Sequence, residues 1–343
     1  MTDDVLNRVL ELGHSMDRDA ETPEIEYIAG LYPRGFMSIV AAQAGTGKTW
    51  FMQYVACRLS VGGNILGGLV TKSKAYKTVI FAGETGKDLL NLRLKATCWS
   101  YNKPRLRVYD AVEMQIAEIP IMLNTPEGRT TFIAILAHEQ PDLVFFDTLI
   151  SFHTADESKQ AEMQGIYTFI LKTANAFNCA IVLNHHTRKR STKAPVGQGY
   201  TQDDVIGSNA GVRLASNVLI LTQDKDALTE DEGMPKVTVR NVKSWNKRLP
   251  SFSYQFITDE ASGKLDFAID WGTTAENEAW SLRERVERLI NSHEAGAVLT
   301  PEAVASSLVT SKDNARKYLD EFTKRGRLER IKVMNSTAWK VKA

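Results

Sequence analysis

The chain has 343 residues, more than one hydrophobic core usually serves, and this predicts two domains. Its 42 Lys and Arg against 41 Asp and Glu name no partner, but from Ser281 onward 13 basic residues face 8 acidic ones, and a basic C-terminal module on a mildly acidic body predicts a polyanionic partner. No apolar run is long enough to cross a bilayer, and a start bearing Asp3, Asp4 and Glu11 lacks the basic, then apolar, character of a secretion signal, so the expected compartment is the cytoplasm, with no membrane partner.

Residues 1–22 are polar and read as an N-terminal arm. Phe36 to Ala41 reads as a short buried strand, and Trp50 to Leu59 has the length and apolar spacing of a helix. Between them lies Ala42-Gln43-Ala44-Gly45-Thr46-Gly47-Lys48-Thr49. A glycine-rich turn between strand and helix points backbone N–H groups at phosphate oxygens, and the first helical turn adds its dipole. Ala42 to Trp50 is therefore the expected nucleotide-binding segment, with Lys48 on the β and γ phosphates and Thr49 on magnesium; the cofactors are ATP and Mg2+. The usual first glycine is Ala42 here, a change of one methyl.

Lys77 to Ala82 is a second strand and Lys87 to Tyr101 a helix; Leu106 to Tyr109 is β-like and Pro126 to Glu139 helical. Leu143 to Phe146 is an apolar strand, Gln160 to Asn178 a helix and Ala180 to Leu183 another strand. Such alternation predicts a mostly parallel sheet covered by helices on both faces. Val218 to Leu221, Lys236 to Val242, Phe252 to Ile257 and Lys264 to Ile269 follow, the later ones finishing the sheet antiparallel. Cys57, Cys98 and Cys179 stand far apart in apolar stretches and read as buried thiols rather than disulfides or zinc ligands.

Two of these strands end in an acid. Asp147 closes Phe145-Phe146 and, with Thr49, is the expected magnesium site. Glu84 follows the strand before it and is placed to polarise water beyond the sheet's carboxyl edge, with Glu157 as a weaker rival. Asn184 or His185, ahead of His186, is placed to contact the γ-phosphate. Arg188, Lys189, Arg190 and Lys193 then open a basic, glycine-punctuated segment that predicts a mobile contact to nucleic acid. Among the later cations Arg213, Lys243, Lys247 and Arg248, position alone does not choose one to reach a neighbouring subunit's phosphate.

Residues 272–280 are small and polar and read as a linker. Beyond it come a helix over Leu282 to Asn291, a second opened by Thr300-Pro301, a third from Lys312 to Arg325 stopped by Gly326, and two short strands. This is the plan of a winged helix-turn-helix over residues 281–343, with Lys312, Asn314, Arg316 and Lys317 at the start of its third helix as DNA-reading candidates. A role in protein contacts is the alternative.

Together the phosphate loop, Glu84, Asp147, the His185-His186 pair and the basic loop resemble the RecA-like ATPases of the hexameric replicative helicase group, closest to the plasmid RepA-type helicases. The resemblance covers roughly residues 23–270, from the lead-in Glu24-Ile25-Glu26-Tyr27 onward, and gives an ATPase domain over residues 23–271. It implies a RecA-like P-loop fold, Glu84 as catalytic glutamate, His185 in the sensor motif, and Arg213 with Lys243 as cations toward a neighbouring site. The altered Ser244-Trp245-Asn246-Lys247-Arg248 departs from the family's pattern at the second such cation. The resemblance also implies a homo-oligomeric ring, usually six subunits, around single-stranded DNA, with duplex DNA or a partner protein at the winged helix. A helicase-loader or recombination ATPase, or a nucleotide-gated DNA-binding regulator, shares the same core motifs.

Overall fold

A computed structural model of the chain describes residues 26–28, 30–66, 70–97, 105–187, 201–205, 209–223, 236–245, 249, 251–259, 264–270, 282–308, 312–333 and 336–342. The N-terminal arm, the loop bearing Arg188, Lys189, Arg190 and Lys193, Lys247 and Arg248, and the linker lie outside these residues.

A nine-stranded sheet organises the larger part of the chain. After a small antiparallel pair, β1 (Tyr27–Ile28) and β2 (Tyr32–Pro33), come β3 (Met37–Ala42), helix α1 (Lys48–Val61), the hairpin β4 (Gly63–Ile65) and β5 (Val70–Ser73), β6 (Thr78–Ala82), α2 (Lys87–Thr97), β7 (Leu106–Asp110), α3 (Ala111–Ile116) and α4 (Pro126–Glu139). Then follow β8 (Leu143–Asp147), a 3-10 turn over Leu149–Phe152, α5 (Gln160–Ala176), β9 (Ala180–His186), α6 (Asn209–Leu214), β10 (Asn217–Gln223), β11 (Val237–Ser244), β12 (Phe252–Asp259) and β13 (Lys264–Asp270). The strand order is β13-β12-β11-β10-β3-β9-β8-β6-β7. From β10 to β7 all neighbours run parallel, whereas β11, β12 and β13 pair antiparallel at the other edge, as the alternation of the sequence predicts.

The central strands β3, β6 and β8 are buried along their whole length because helices cover both faces. On one face α1 packs beneath a ladder of stacked rings, Phe51 on Tyr254 and Tyr54 on Phe267, whose centroids lie 5.4 and 3.9 Å apart. On the other, α4 and α5 cover Phe81, Phe146 and Ile181. The lead-in is tied to the sheet by Arg34, which donates to Glu26 at 2.7 Å and to Asp142 at 2.8 Å.

The cysteines correct one expectation. Cys179 is a free buried thiol, and burial pushes its pKa up to about 12. Cys57, however, is disulfide-bonded. Separation along the chain does not measure separation in the fold.

The C-terminal elements are α7 (Leu282–Ser292), β14 (Val298–Leu299), α8 (Pro301–Leu308), α9 (Lys312–Lys324), β15 (Leu328–Val333) and β16 (Ser336–Val341). They enclose a cluster of their own, centred on Trp339, Leu319, Phe322 and Val286. Thr300 caps α8 by accepting from the Ala303 N–H at 3.2 Å, and Gly326 stops α9 in the left-handed region at φ +77°.

Candidate active site

Parallel register brings the carboxyl ends of four strands to one edge. Ala42 stands level with His186, and Ala82 level with Asp147, so whatever follows β3, β6, β8 and β9 converges there. After β3 the chain turns through Gly45 (φ +80°) and Gly47 (φ +94°), both left-handed. Gly47 is the N-cap of α1 and offers no side chain to its first N–H groups, and a Cβ at Gly45 would meet nothing within 4 Å. The loop thus presents uncapped amides to an open space, the arrangement that binds an anion.

Lys48 leans back over this loop. Its Nζ donates to Ala42 O at 3.1 Å and Gln43 O at 3.4 Å and lies 3.3 Å from His186 Nδ1. Burial lowers its pKa, while Glu84 and Asp147 act in the opposite sense. Asp147 is buried and accepts from Thr49 Oγ1 at 3.2 Å and Asn184 Nδ2 at 2.8 Å; burial raises its pKa. One carboxylate and one hydroxyl suit a hard cation that keeps most of its coordination for water and phosphate. Among the described residues no group of three His, Cys, Asp or Glu forms a metal centre of its own.

Glu84 reaches the same space from β6. Gly83 makes this possible, because a Cβ there would stand 2.2 Å from Ser151 Cβ in the turn after β8. Thr148, the residue after Asp147, donates its hydroxyl to Glu84 Oε1 at 2.7 Å, and His186 Nε2 lies 3.7 Å from the same oxygen. Glu84 is thereby held at the mouth of the site, half exposed, with a buried threonine behind it.

Strand alternation separates the two histidines. Asn184 and His186 face Asp147 and Lys48, whereas His185 turns into the opposite core and shares a 2.8 Å hydrogen bond with Tyr167. Burial pushes the His185 pKa down to about 4, so its ring is neutral. Of the two residues expected to contact the γ-phosphate, Asn184 therefore faces the loop with His186, whereas His185 is turned away from it. Thr148 and Tyr167 were not singled out by sequence reasoning; the position of Thr148 next to a strand-ending acid was its available signal.

The remaining candidates divide. Trp50 packs edge-on against Phe256 at 5.9 Å with the Arg93 guanidinium 5.0 Å over its ring. Arg213 and Lys243 stand at the other end of the sheet. Ser216, two residues after the α6 helix, donates to Met37 O at 2.8 Å, and Lys243 pairs with Val218, both level with the start of β3. The length of β3, at about 3.3 Å per residue, keeps them from Lys48 of the same chain. In the C-terminal unit Asn314, Arg316 and Lys317 are exposed at the start of α9, while Lys312 is ion-paired with Glu302.

In comparison with solved structures, the chain resembles one described as an ATPase domain, with a TM-score of 0.51 at 16% identity, covering 74% of this chain and 95% of that one. It also aligns with the flagellar accessory protein FlaH from Methanocaldococcus jannaschii, with a TM-score of 0.46 at 12% identity, covering 71% and 92%. No curated protein matches the chain. No helix among the described residues is long and apolar enough to cross a membrane. A family model described as an AAA domain matches residues 7–192, more than half of the chain, and this match, on a P-loop fold that gathers a lysine, two acids and uncapped amides at one sheet edge, places the chain in that family of ATP-binding and ATP-hydrolysing enzymes.

Proposed function

We propose that the protein is a ring-forming, DNA-stimulated ATPase of the RepA helicase type, acting in replication of a plasmid, phage or mobile element. The observation that carries the reading is the split of the catalytic cations. Lys48 sits at one end of β3 and Arg213 at the other, so an arginine aimed at a phosphate has to serve a neighbouring subunit. A closed homo-oligomer, six subunits in this reading, completes every site in this way.

Within one site Lys48 and the loop amides hold the triphosphate, and Thr49 and Asp147 hold magnesium, which supplies charge neutralisation at the phosphates. Glu84 accepts a proton from the attacking water, and Thr148 keeps its carboxylate oriented. His186, between Lys48 and Glu84, senses the terminal phosphate. The basic segment at Arg188, Lys189, Arg190 and Lys193 follows directly on β9 and lines the central pore, where it grips single-stranded DNA. Residues 1–22 form the arm, 23–271 the motor, 272–280 the linker and 281–343 a winged helix. The exposed cations Arg316, Lys317, Arg330, Lys332 and Lys340 support a duplex-backbone contact by that module.

Two measurements made together test the proposal: ATP hydrolysis with and without single-stranded DNA, and displacement of a labelled strand. Stimulation with ATP-dependent displacement is expected. Stimulation without displacement would turn the reading to a loader or recombination ATPase, and no stimulation to a nucleotide-gated regulator.

A further inference from the structure

Lys243 is held in a way that a cation reaching for a neighbour would not be. Its Nζ donates to Val212 O at 2.6 Å and to Arg213 O at 2.9 Å, two carbonyls of the last turn of α6, which helix geometry leaves without intrahelical partners. The ammonium also lies 5.7 Å from the centroid of the Trp245 ring, and burial lowers its pKa.

A break in strand register puts it there. Val218 of β10 pairs with Lys243, but Leu219 pairs with Asn241, so two residues of β11 oppose one step of β10. Val237 and Val239 point to the α1 face, and Val242 packs on the opposite face. Strict alternation would return Lys243 to the α1 side, where it could not meet α6. The bulge keeps it on the side of Val242, beneath the helix. From its other side α6 is fixed by Gly211, where a Cβ would stand 2.7 Å from Tyr167 Cζ. The helix that bears the exposed Arg213 is thus clamped between an aromatic ring and a lysine cap.

We infer that Lys243 is a positioning residue of its own subunit: by anchoring the last turn of α6 it aims Arg213, and it is not itself a second cation at the neighbouring nucleotide. This rests on the proposed role of Arg213 toward a neighbour and departs from the role that the family resemblance gives Lys243.

The test is a double-mutant cycle on full-length protein at ring-forming concentration, with Arg213→Ala, Lys243→Met and the pair. Arg213→Ala is expected to lower kcat on the order of 10³-fold, as for a lost arginine finger. Lys243→Met is expected to lower kcat by about 10²-fold, the effect of a misplaced group, with binding of a fluorescent ATP analogue unchanged. In the Arg213→Ala background Lys243→Met should change kcat no further, whereas with Arg213 intact Lys243→Arg, which keeps donors for the carbonyls, should retain most of the parent rate. Hydrogen exchange should show faster amides across residues 209–214 in Lys243→Met. Fully multiplicative losses with unchanged exchange in α6 would overturn the inference and return Lys243 to a direct role. A silent Arg213→Ala would instead overturn the intersubunit reading and leave Lys243 nothing to aim. Where Lys243→Met does not fold, Lys243→Gln replaces it in the same cycle.

Discussion

Asp147, the proposed magnesium ligand, is a buried group that costs the resting fold. Burial raises its pKa, so the folded state binds more protons than the unfolded one between the ordinary carboxylate value and the raised one. Stability therefore falls as pH rises through that window, and the charged form carries the penalty at neutral pH. Asp147→Asn is expected to raise the melting temperature of the nucleotide-free protein, measured calorimetrically, while abolishing the added stabilisation that magnesium and ATP give the parent. Glu84→Gln is expected to keep nucleotide binding and cut turnover ~10²-fold or more, the contribution of a general base. Comparable turnover in that variant would move the role to Glu157. Of Asn184 and His185, the two residues expected at the γ-phosphate, the fold keeps the first on the side of Lys48 and turns the second away. Alternation along β9 was legible, but which parity faces the nucleotide depends on the register with β3, a contact between segments over a hundred residues apart.

At the scale of elements, the strands of the large sheet follow from apolar runs, and α4 and α8 from Thr125 and Thr300, capping residues placed where helix starts require them. The short pieces were not legible. The helix α3, the hairpin of β4 and β5, and α6 are too brief for a periodic pattern to register, and they are held by what they pack against. The bulge in β11 is of the same kind, since no residue type in Asn241-Val242-Lys243 announces it. The glycine at 83 is a sharper case. Its backbone needs no left-handed angle, so only the approach of Ser151 explains it. Gly83→Ala is expected to destabilise the protein in urea and to misplace Glu84, whereas Gly83→Ala with Ser151→Gly should recover much of both stability and turnover. Tyr167→Phe should leave the buried His185 ring without its partner at a cost of about 1–3 kcal/mol, read from the same unfolding curves.

At the scale of the whole molecule, among the described residues the apolar core of the C-terminal elements begins at Val286, and every group gathered around Lys48 lies before residue 271. A chain ended near Thr274 is accordingly expected to retain ATP hydrolysis and lose affinity for duplex DNA. A fragment from Ser281 should fold alone and bind duplex weakly, and Arg316→Ala with Lys317→Ala should flatten its slope of log affinity against log salt by up to about two phosphate contacts. An unchanged slope would assign the surface to protein contacts. The arrangement of β3, with its phosphate loop at one end and Arg213 beside the other, carries a kinetic consequence. In the proposed ring, a lone subunit would own two halves of two different sites and no whole one. Rate per milligram of protein should therefore not be constant: on dilution it should fall with the steepness of a multi-body association, and an inactive subunit added in trace should depress more activity than its own share of the mixture.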